Sequence, residues 1–303
     1  MQLDQELQNV SSVAIAGHIR PDGDCVGSCL ATYNYITTYY PQVKVCVFLE
    51  PIPRIFQFLQ GADKILEAKD SEESFDLCIV LDCGDATRLG DAVKFFETAK
   101  RTICIDHHVS NQAFADKNKI VADASSASEL VYDSMDPAKI TKEIAECIYT
   151  GMIHDTGVFQ YSCTSSHTME VAGCLMDLGI DYPTIVDKTF YEKTFAQNKI
   201  LGQALLKSRL YEDAECIASV ITQEEMAEFS VLPKHLDGIV SQLRMTKEAE
   251  VAIFLYGLEP GAYKVSTRCK GDRVDLSQIA MKYHGGGHKK AAGFTAKGMI
   301  HGH

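Results

Sequence analysis

A chain of 303 residues, 46% of them hydrophobic, can bury a substantial core, and its length favours two domains over one. The formal net charge of -12 argues against tight binding to long duplex DNA, which needs an extended cationic face. No apolar run reaches membrane-spanning length, and the opening MQLDQELQN carries acids and amides where a secretory leader needs a basic start, so a soluble cytoplasmic protein with no membrane partner is expected.

From the start, apolar β-rich runs alternate with helical patterns: VSSVAIAG, then residues 25–39, VKVCVFL, 56–59, LCIVLD, 92–99 and RTICID. This alternation predicts an α/β unit with a parallel sheet. Beyond Ala124 the pattern turns helical through SASELVYDSM, DPAKITKEIAECIYTGMI, SSHTMEVAGCLMDLG and YPTIVDKTF, which implies a helical cap on the sheet. Residues 189–208 look like one long polar helix containing the domain boundary. After it CIASVI, VAIFLYGL and YKVSTR return as strands with helices between them, a second and smaller α/β domain.

Eleven cysteines, an odd number with no C-x-x-C pair, predict reduced and mostly buried thiols. Charge is uneven. Residues 264–297 hold eight Lys or Arg against two acids, a local balance of +6 that leaves -18 for the remainder. Solvated charge is the plain explanation, and a short anionic ligand held at this end is the sharper one.

The acids and histidines fall at strand ends. His18, Asp22 and Asp24 follow VSSVAIAG, Asp82 ends LCIVLD, and Asp106, His107 and His108 end or follow RTICID. Ligands of open α/β sheets bind beyond the carboxyl ends of the strands, so three strands deliver these groups to one place. Several carboxylates cannot all stay ionised in a dry cleft without a cation. Oxygen ligands with two imidazoles suit Mn²⁺ best, with Mg²⁺ or another divalent metal as alternatives, and the number of carboxylates suggests two ions. Taken singly, Asp22 and Asp24 could make a turn and a helix cap, Asp82 an Asx turn, and His107 and His108 one core and one surface histidine. Ser125, Ser126 and Ser128 look like a helix start, and no G-x-S-x-G elbow supports serine catalysis.

The segments HIRPDGD (18–24), LDCGD (81–85), DHH (106–108) and YTGMIHDTGVF (149–159) occur in this order. On them the chain resembles the DHH phosphoesterases, which are similar to RecJ nucleases and family II inorganic pyrophosphatases. The resemblance implies that His18 and Asp22 hold one ion, that Asp24, His107 and Asp155 hold the other, and that Asp82 bridges both. The place of Asp155, in a helical region, rests wholly on the resemblance. His108 would face the substrate phosphate, Asp106 would orient an imidazole, and Ser126 would support the site. Asp82 and His108 are then the catalytic candidates, with a hydroxide generated between two ions as the nucleophile.

YHGGGHKKAAGF (283–294), preceded by Arg268, resembles the glycine-rich motif of the DHH-associated domain in RecJ-like and NrnA-like proteins. Three glycines let backbone amides approach an anion closely. The resemblance implies that Arg268, Gly286, Gly287 and His288 hold a nucleotide, whereas Lys289 and Lys290 look like solvated charge. It divides the chain into a DHH catalytic domain (1–188), a linker helix (189–212) and a DHH-associated substrate-binding domain (213–303). The expected activity is Mn²⁺-dependent hydrolysis of short single-stranded RNA and linear dinucleotides such as pApA and pGpG. Removal of the 3'-phosphate of pAp, or cleavage of cyclic dinucleotides, are the alternatives, and a homodimer is left open. A binding regulator without catalysis would have lost ligands, and here the set is complete.

Overall fold

The computed structural model describes residues 1–211, 213 and 215–298. The chain divides into two compact units, one spanning Met1–Glu192 and the other beginning at Lys193.

In the first unit, α1 (Leu3–Glu6) precedes β1 (Ser12–Ala16), α2 (Gly23–Tyr39), β2 (Lys44–Phe48) and β3 (Ile65–Leu66). Then come β4 (Leu77–Leu81), α3 (Val93–Thr98), β5 (Arg101–Asp106) and β6 (Lys117–Ile120), followed by four helices: α4 (Ala127–Tyr132), α5 (Lys142–Thr156), α6 (Ser166–Asp177) and α7 (Tyr182–Val186). The six strands are all parallel, in the order β3-β2-β1-β4-β5-β6. The chain steps outward from β1 on one side and resumes at β4 on the other. That reversal opens a crevice beyond the carboxyl ends of β1 and β4.

The strands are short and rich in apolar residues because both faces are covered. Val13, Ile15, Ile79, Ile103 and Ile105 pack toward Leu30, Val131, Ile144 and Ile148 of the helices, and each fully buried Ile contributes about 1.5–3 kcal/mol. Ala14, Ala16, Cys78, Val80 and Cys104 face the other way, onto Phe48, Phe75 and Phe95. Phe48 and Phe95 stack at 4.1 Å, with Phe75 edge-on to both.

Helices α2 and α5 approach to backbone distance. A Cβ on Gly27 would lie 2.5 Å from the Cys147 carbonyl oxygen, and one on Gly151 would lie 2.8 Å from Asp24 Oδ1 of α2 and 1.9 Å from Ser128 Oγ of α4. Only glycine fits either position, and the first turns of α2 therefore meet the last turns of α5. Two local expectations change. Residues 56–59 are not a helix but the end of a 3₁₀ turn at Arg54–Phe56, because Pro51 and Pro53 hold the preceding chain extended. β6, with the polar sequence KNKI, is an edge strand that no apolar alternation announced.

The second unit contains α8 (Phe195–Leu206), β7 (Arg209–Tyr211), β8 (Cys216–Ile221), α9 (Gln223–Glu228), α10 (Ile239–Arg244) and β9 (Val251–Glu259). β10 (Ala262–Cys269), α11 (Leu276–Lys282), β11 (Gly286–His288) and β12 (Ala291–Lys297) complete it. Its sheet order is β11-β12-β10-β9-β8-β7, antiparallel except for the pair β8/β9. Ile217, Ile221, Leu243 and Phe254 join Ile200 and Ala204 in one core, while Cys269, Ala280 and Ala292 form a smaller one under α11.

The long polar helix expected over 189–208 is interrupted. Asp187–Tyr191 form a π-turn that closes α7, and α8 starts after Thr194, whose capping box with Gln197 fixes the helix entry. Residues 209–211 are already strand, paired with β8. Within the glycine-rich segment, Gly286–His288 form a strand paired with β12. All eleven cysteines are free thiols and most are buried. No helix of the described residues is long and apolar enough to cross a membrane.

Candidate active site

β1, β4 and β5 lie side by side, and polar residues follow each of them. The Nδ1 of His18 lies 2.8 Å from the Ile19 carbonyl oxygen. A carbonyl only accepts, so Nδ1 carries the proton and Nε2 faces two acids, Asp82 Oδ2 at 3.5 Å and Asp22 Oδ1 at 3.6 Å. That same Asp22 oxygen caps α2, accepting from the amides of Asp24 and Cys25, each at 3.2 Å. The cap and the site meet in one atom.

Asp82 follows β4 with φ +51, a left-handed backbone uncommon for any residue but glycine and tolerated by Asp. Its amide donates to the Ile105 carbonyl at 3.2 Å, which fixes the turn. The buried carboxylate divides its oxygens: Oδ2 faces His18, and Oδ1 lies 3.6 Å from His107 Nε2. His107 Nε2 also meets Asp155 Oδ2 at 3.0 Å and Asp24 Oδ2 at 3.8 Å. Asp155 stands in the last turn of α5, where the close α2–α5 approach brings it to the start of α2.

Asp24 is wholly buried and held by the first amides of α4, Ala127 N–H to Oδ2 at 2.6 Å and Ser128 N–H to Oδ1 at 2.8 Å. Ser126 caps that helix by accepting from Glu129 N. Ser125 and Thr168 donate to the buried Glu129 carboxylate, each at 2.6 Å. The DASSASE segment is thus a cradle for Asp24. Its sequence suggested a helix start, the resemblance added only a supporting role for Ser126, and nothing local marked Glu129 as the brace.

His108 donates from Nδ1 to Asp106 Oδ1 at 2.7 Å, and Asn111 Nδ2 donates to the other Asp106 oxygen at 2.7 Å. Asp106 therefore orients the His108 ring. Against burial, His108 and Asn111 hold Asp106 below the usual carboxylate range, and Asp106 in turn raises His108.

Burial pushes the Asp24 carboxyl well up, and nearby Asp82 and Asp155 add to it. Burial raises Asp155 as well. Although burial opposes charge on the imidazoles, Asp22 and Asp82 push His18 up to about 11, and Asp155 and Asp82 push His107 up to about 12. Against the cost of its own burial, Asp82 is drawn below the carboxylate range by His107 and His18. The cluster holds more negative charge than its histidines can balance, the condition a divalent cation satisfies.

The spacing fits such an ion. Bonds of about 2.0–2.2 Å at octahedral to tetrahedral angles separate neighbouring donors by about 2.9–3.6 Å, close to the separations around His18 Nε2 and His107 Nε2. Asp24, His107 and Asp155 form one group able to hold an ion, and Asp82 with His107 and His108 another. A third, His18 with Asp82 and Cys25, includes a thiol that sequence reasoning missed, although it lies directly after Asp24. Burial pushes the Cys25 thiol up, and its Sγ points to the His18 carbonyl at 3.9 Å, so it packs as a neutral group.

In the second unit, Arg268 of β10, Ala291 of β12 and His288 of β11 are paired in register. Directly opposed residues share a face, so Arg268 and His288 flank a small alanine. One step along, Ser266, Gly293 and Gly286 form the next row, and a Cβ on Gly286 would meet nothing within 4 Å. Gly287 belongs to the opposite face. Its φ of +139, with Ala291 O only 2.4 Å from where a Cβ would sit, demands glycine for the backbone. Lys289 and Lys290 both lie near Asp272.

Residues 12–152 match the DHH family, N-terminal domain, and residues 213–300 match the DHHA1 domain. The chain is 28% identical over 290 residues to the bifunctional oligoribonuclease and PAP phosphatase NrnA of Thermus thermophilus, spanning 95% of this chain and 85% of that protein. It is 26% identical over 303 residues to the protein of the same description from Bacillus subtilis, spanning 96% and 91%. The crystal structure of an exopolyphosphatase-related protein from Bacteroides fragilis superposes with a TM-score of 0.87 at 26% identity, over 99% of this chain and 90% of that one.

Proposed function

Because the chain is a phosphoesterase of the DHH family with a DHHA1 domain behind it, we propose that it hydrolyses short oligoribonucleotides and linear dinucleotides such as pApA and pGpG to mononucleotides. The observation that carries this reading is the divided Asp82 carboxylate, one oxygen toward His18 and the other toward His107. In it, His18 and Asp22 hold one divalent ion, Asp24, His107 and Asp155 hold a second, and Asp82 joins them. Mn²⁺ suits this set of oxygens and imidazoles best. When bound, such a pair supplies Lewis acidity toward a phosphoryl oxygen and a water nucleophilic at neutral pH.

The protein's own groups orient the substrate. His108, its Nδ1–H committed to Asp106, presents Nε2 to the phosphate, while Arg268 and His288 grip a nucleotide beside the bare backbone at Gly286. The relatives in T. thermophilus and B. subtilis are both described as oligoribonuclease and PAP phosphatase, and both align along nearly the whole chain. Their description equally favours a second reading, removal of the 3'-phosphate of pAp at the same centre.

Incubation of the wild type and Asp82→Ala with Mn²⁺ and pApA, pAp, pyrophosphate or a cyclic dinucleotide tests both readings. Turnover of pApA or pAp by the wild type, lost in the variant, is expected. Turnover of pyrophosphate alone sinks the proposal.

A further inference from the structure

Where the sheet of the second unit meets the turn leading into α10, Pro233 and Phe254 wall a cleft of ≈ 80 Å³ whose polar lining includes Asp237, Tyr256, Ser266 and Arg268. Register explains the meeting. Ser266 and Arg268 stand two apart on β10 and share a face, and Phe254 is the β9 partner of Ser266. Tyr256, two further along β9, lies on that face too, and Asp237 enters opposite from the turn before α10. Asp237 is solvent-exposed, and the partial desolvation of its carboxyl raises it against the positive charges of Lys193 and Arg268.

A carboxylate beside a guanidinium matches a ligand that pairs an anion with adjacent hydrogen-bond donors. Among the RNA bases only guanine offers two neighbouring donors, N1–H and the 2-amino group, on its Watson–Crick edge. Adenine and cytosine set a ring-nitrogen acceptor beside their single amino group, and uracil sets its N–H between two carbonyls, so each turns a lone pair toward a carboxylate.

We propose that this cleft selects guanine, with Asp237 accepting from N1–H and the 2-amino group, Ser266 or Tyr256 donating to O6, and Arg268 holding the attached phosphate. The inference rests on the dinucleotide-hydrolysing reading and names the base which that activity prefers. A bidentate pair of this kind discriminates roughly tenfold to a hundredfold against the wrong base.

The test compares kcat/KM for pGpG and pApA with Mn²⁺ in the wild type and in Asp237→Asn, alongside calorimetric titration of GMP and AMP into the full chain. The wild type is expected to favour pGpG and GMP at least about tenfold. Asn presents one donor and one acceptor, and both preferences should fall toward one. A wild-type ratio near one, or a ratio unmoved in a variant that melts like the wild type, overturns the guanine-reading role. Titration needs no turnover, so a GMP preference in a protein that cleaves neither dinucleotide faults the substrate reading and leaves the cleft's role standing.

Discussion

Along β1, β4 and β5 of the first unit every side chain from Val13, Leu77 and Thr102 onward is buried, and only residues just beyond the strand ends can touch a ligand. Along β10 of the second unit the polar side chains themselves line a face: Lys264, Ser266 and Arg268 alternate with buried Val265, Thr267 and Cys269. A parallel sheet gathers distant residues at a point, whereas an antiparallel one lays out neighbours at spacing two. The first arrangement concentrates charge enough to hold ions. The second sets polar side chains in a row along one face.

If the point-like site depends on every distant contributor, the largest effect should come from the one that only tertiary packing supplies. Asp155→Ala is expected to lower Mn²⁺-dependent turnover on the order of 10²–10³-fold, the scale of losing a group that supports transition-state charge. Near-wild-type turnover of pApA would remove Asp155 from the centre.

Glycine substitutions sharpen the contrast in packing. Gly151→Ala must push Ser128 or Asp24 aside and should destabilise by about 1–3 kcal/mol. Gly202→Ala, on a part of α8 where a Cβ meets nothing within 4 Å, should stabilise by about 0.4–1 kcal/mol. Urea denaturation of both variants decides it, and equal effects would erase the difference between the units.

The smallest effect is electrostatic. Against partial burial, Lys207, the Thr222 amide and Gln203 hold the Glu225 carboxylate below its ordinary range. A depressed folded pKa adds stability above the unfolded value near 4.5, and that stability is lost as the pH falls through the folded value. Glu225→Gln should therefore cost about 0.5–1 kcal/mol at neutral pH, after discounting for solvent screening, and nearly nothing once the wild-type carboxylate is protonated. A gap that widens in acid contradicts this sign.

The contrast also governs what the sequence disclosed. His18, Asp82 and His107 were legible because a parallel strand ends in an abrupt change from apolar to polar, and the switch point makes such ends converge. Asp155 was not, since its approach depends on Gly27 and Gly151, two glycines inside helices whose sequence gives no sign of contact. β11 escaped notice because glycine has little strand propensity, and only pairing with β12 holds it extended. The over-long helix at 189–208 shows the limit of polarity as a signal: the Thr194–Gln197 capping box marked the true start, but polar residues on both sides hid it.

Position 82 joins two demands that are usually met by different residues. The backbone at φ +51 is comfortable for Gly, Asn and Asp, while two facing imidazoles call for a negative charge on a short stem. Glycine would relax the chain and remove the carboxylate, asparagine would keep the turn without the charge, and glutamate would carry the charge on a stem one carbon longer, with less tolerance for that backbone. Of the twenty residue types, aspartate alone lies in the overlap.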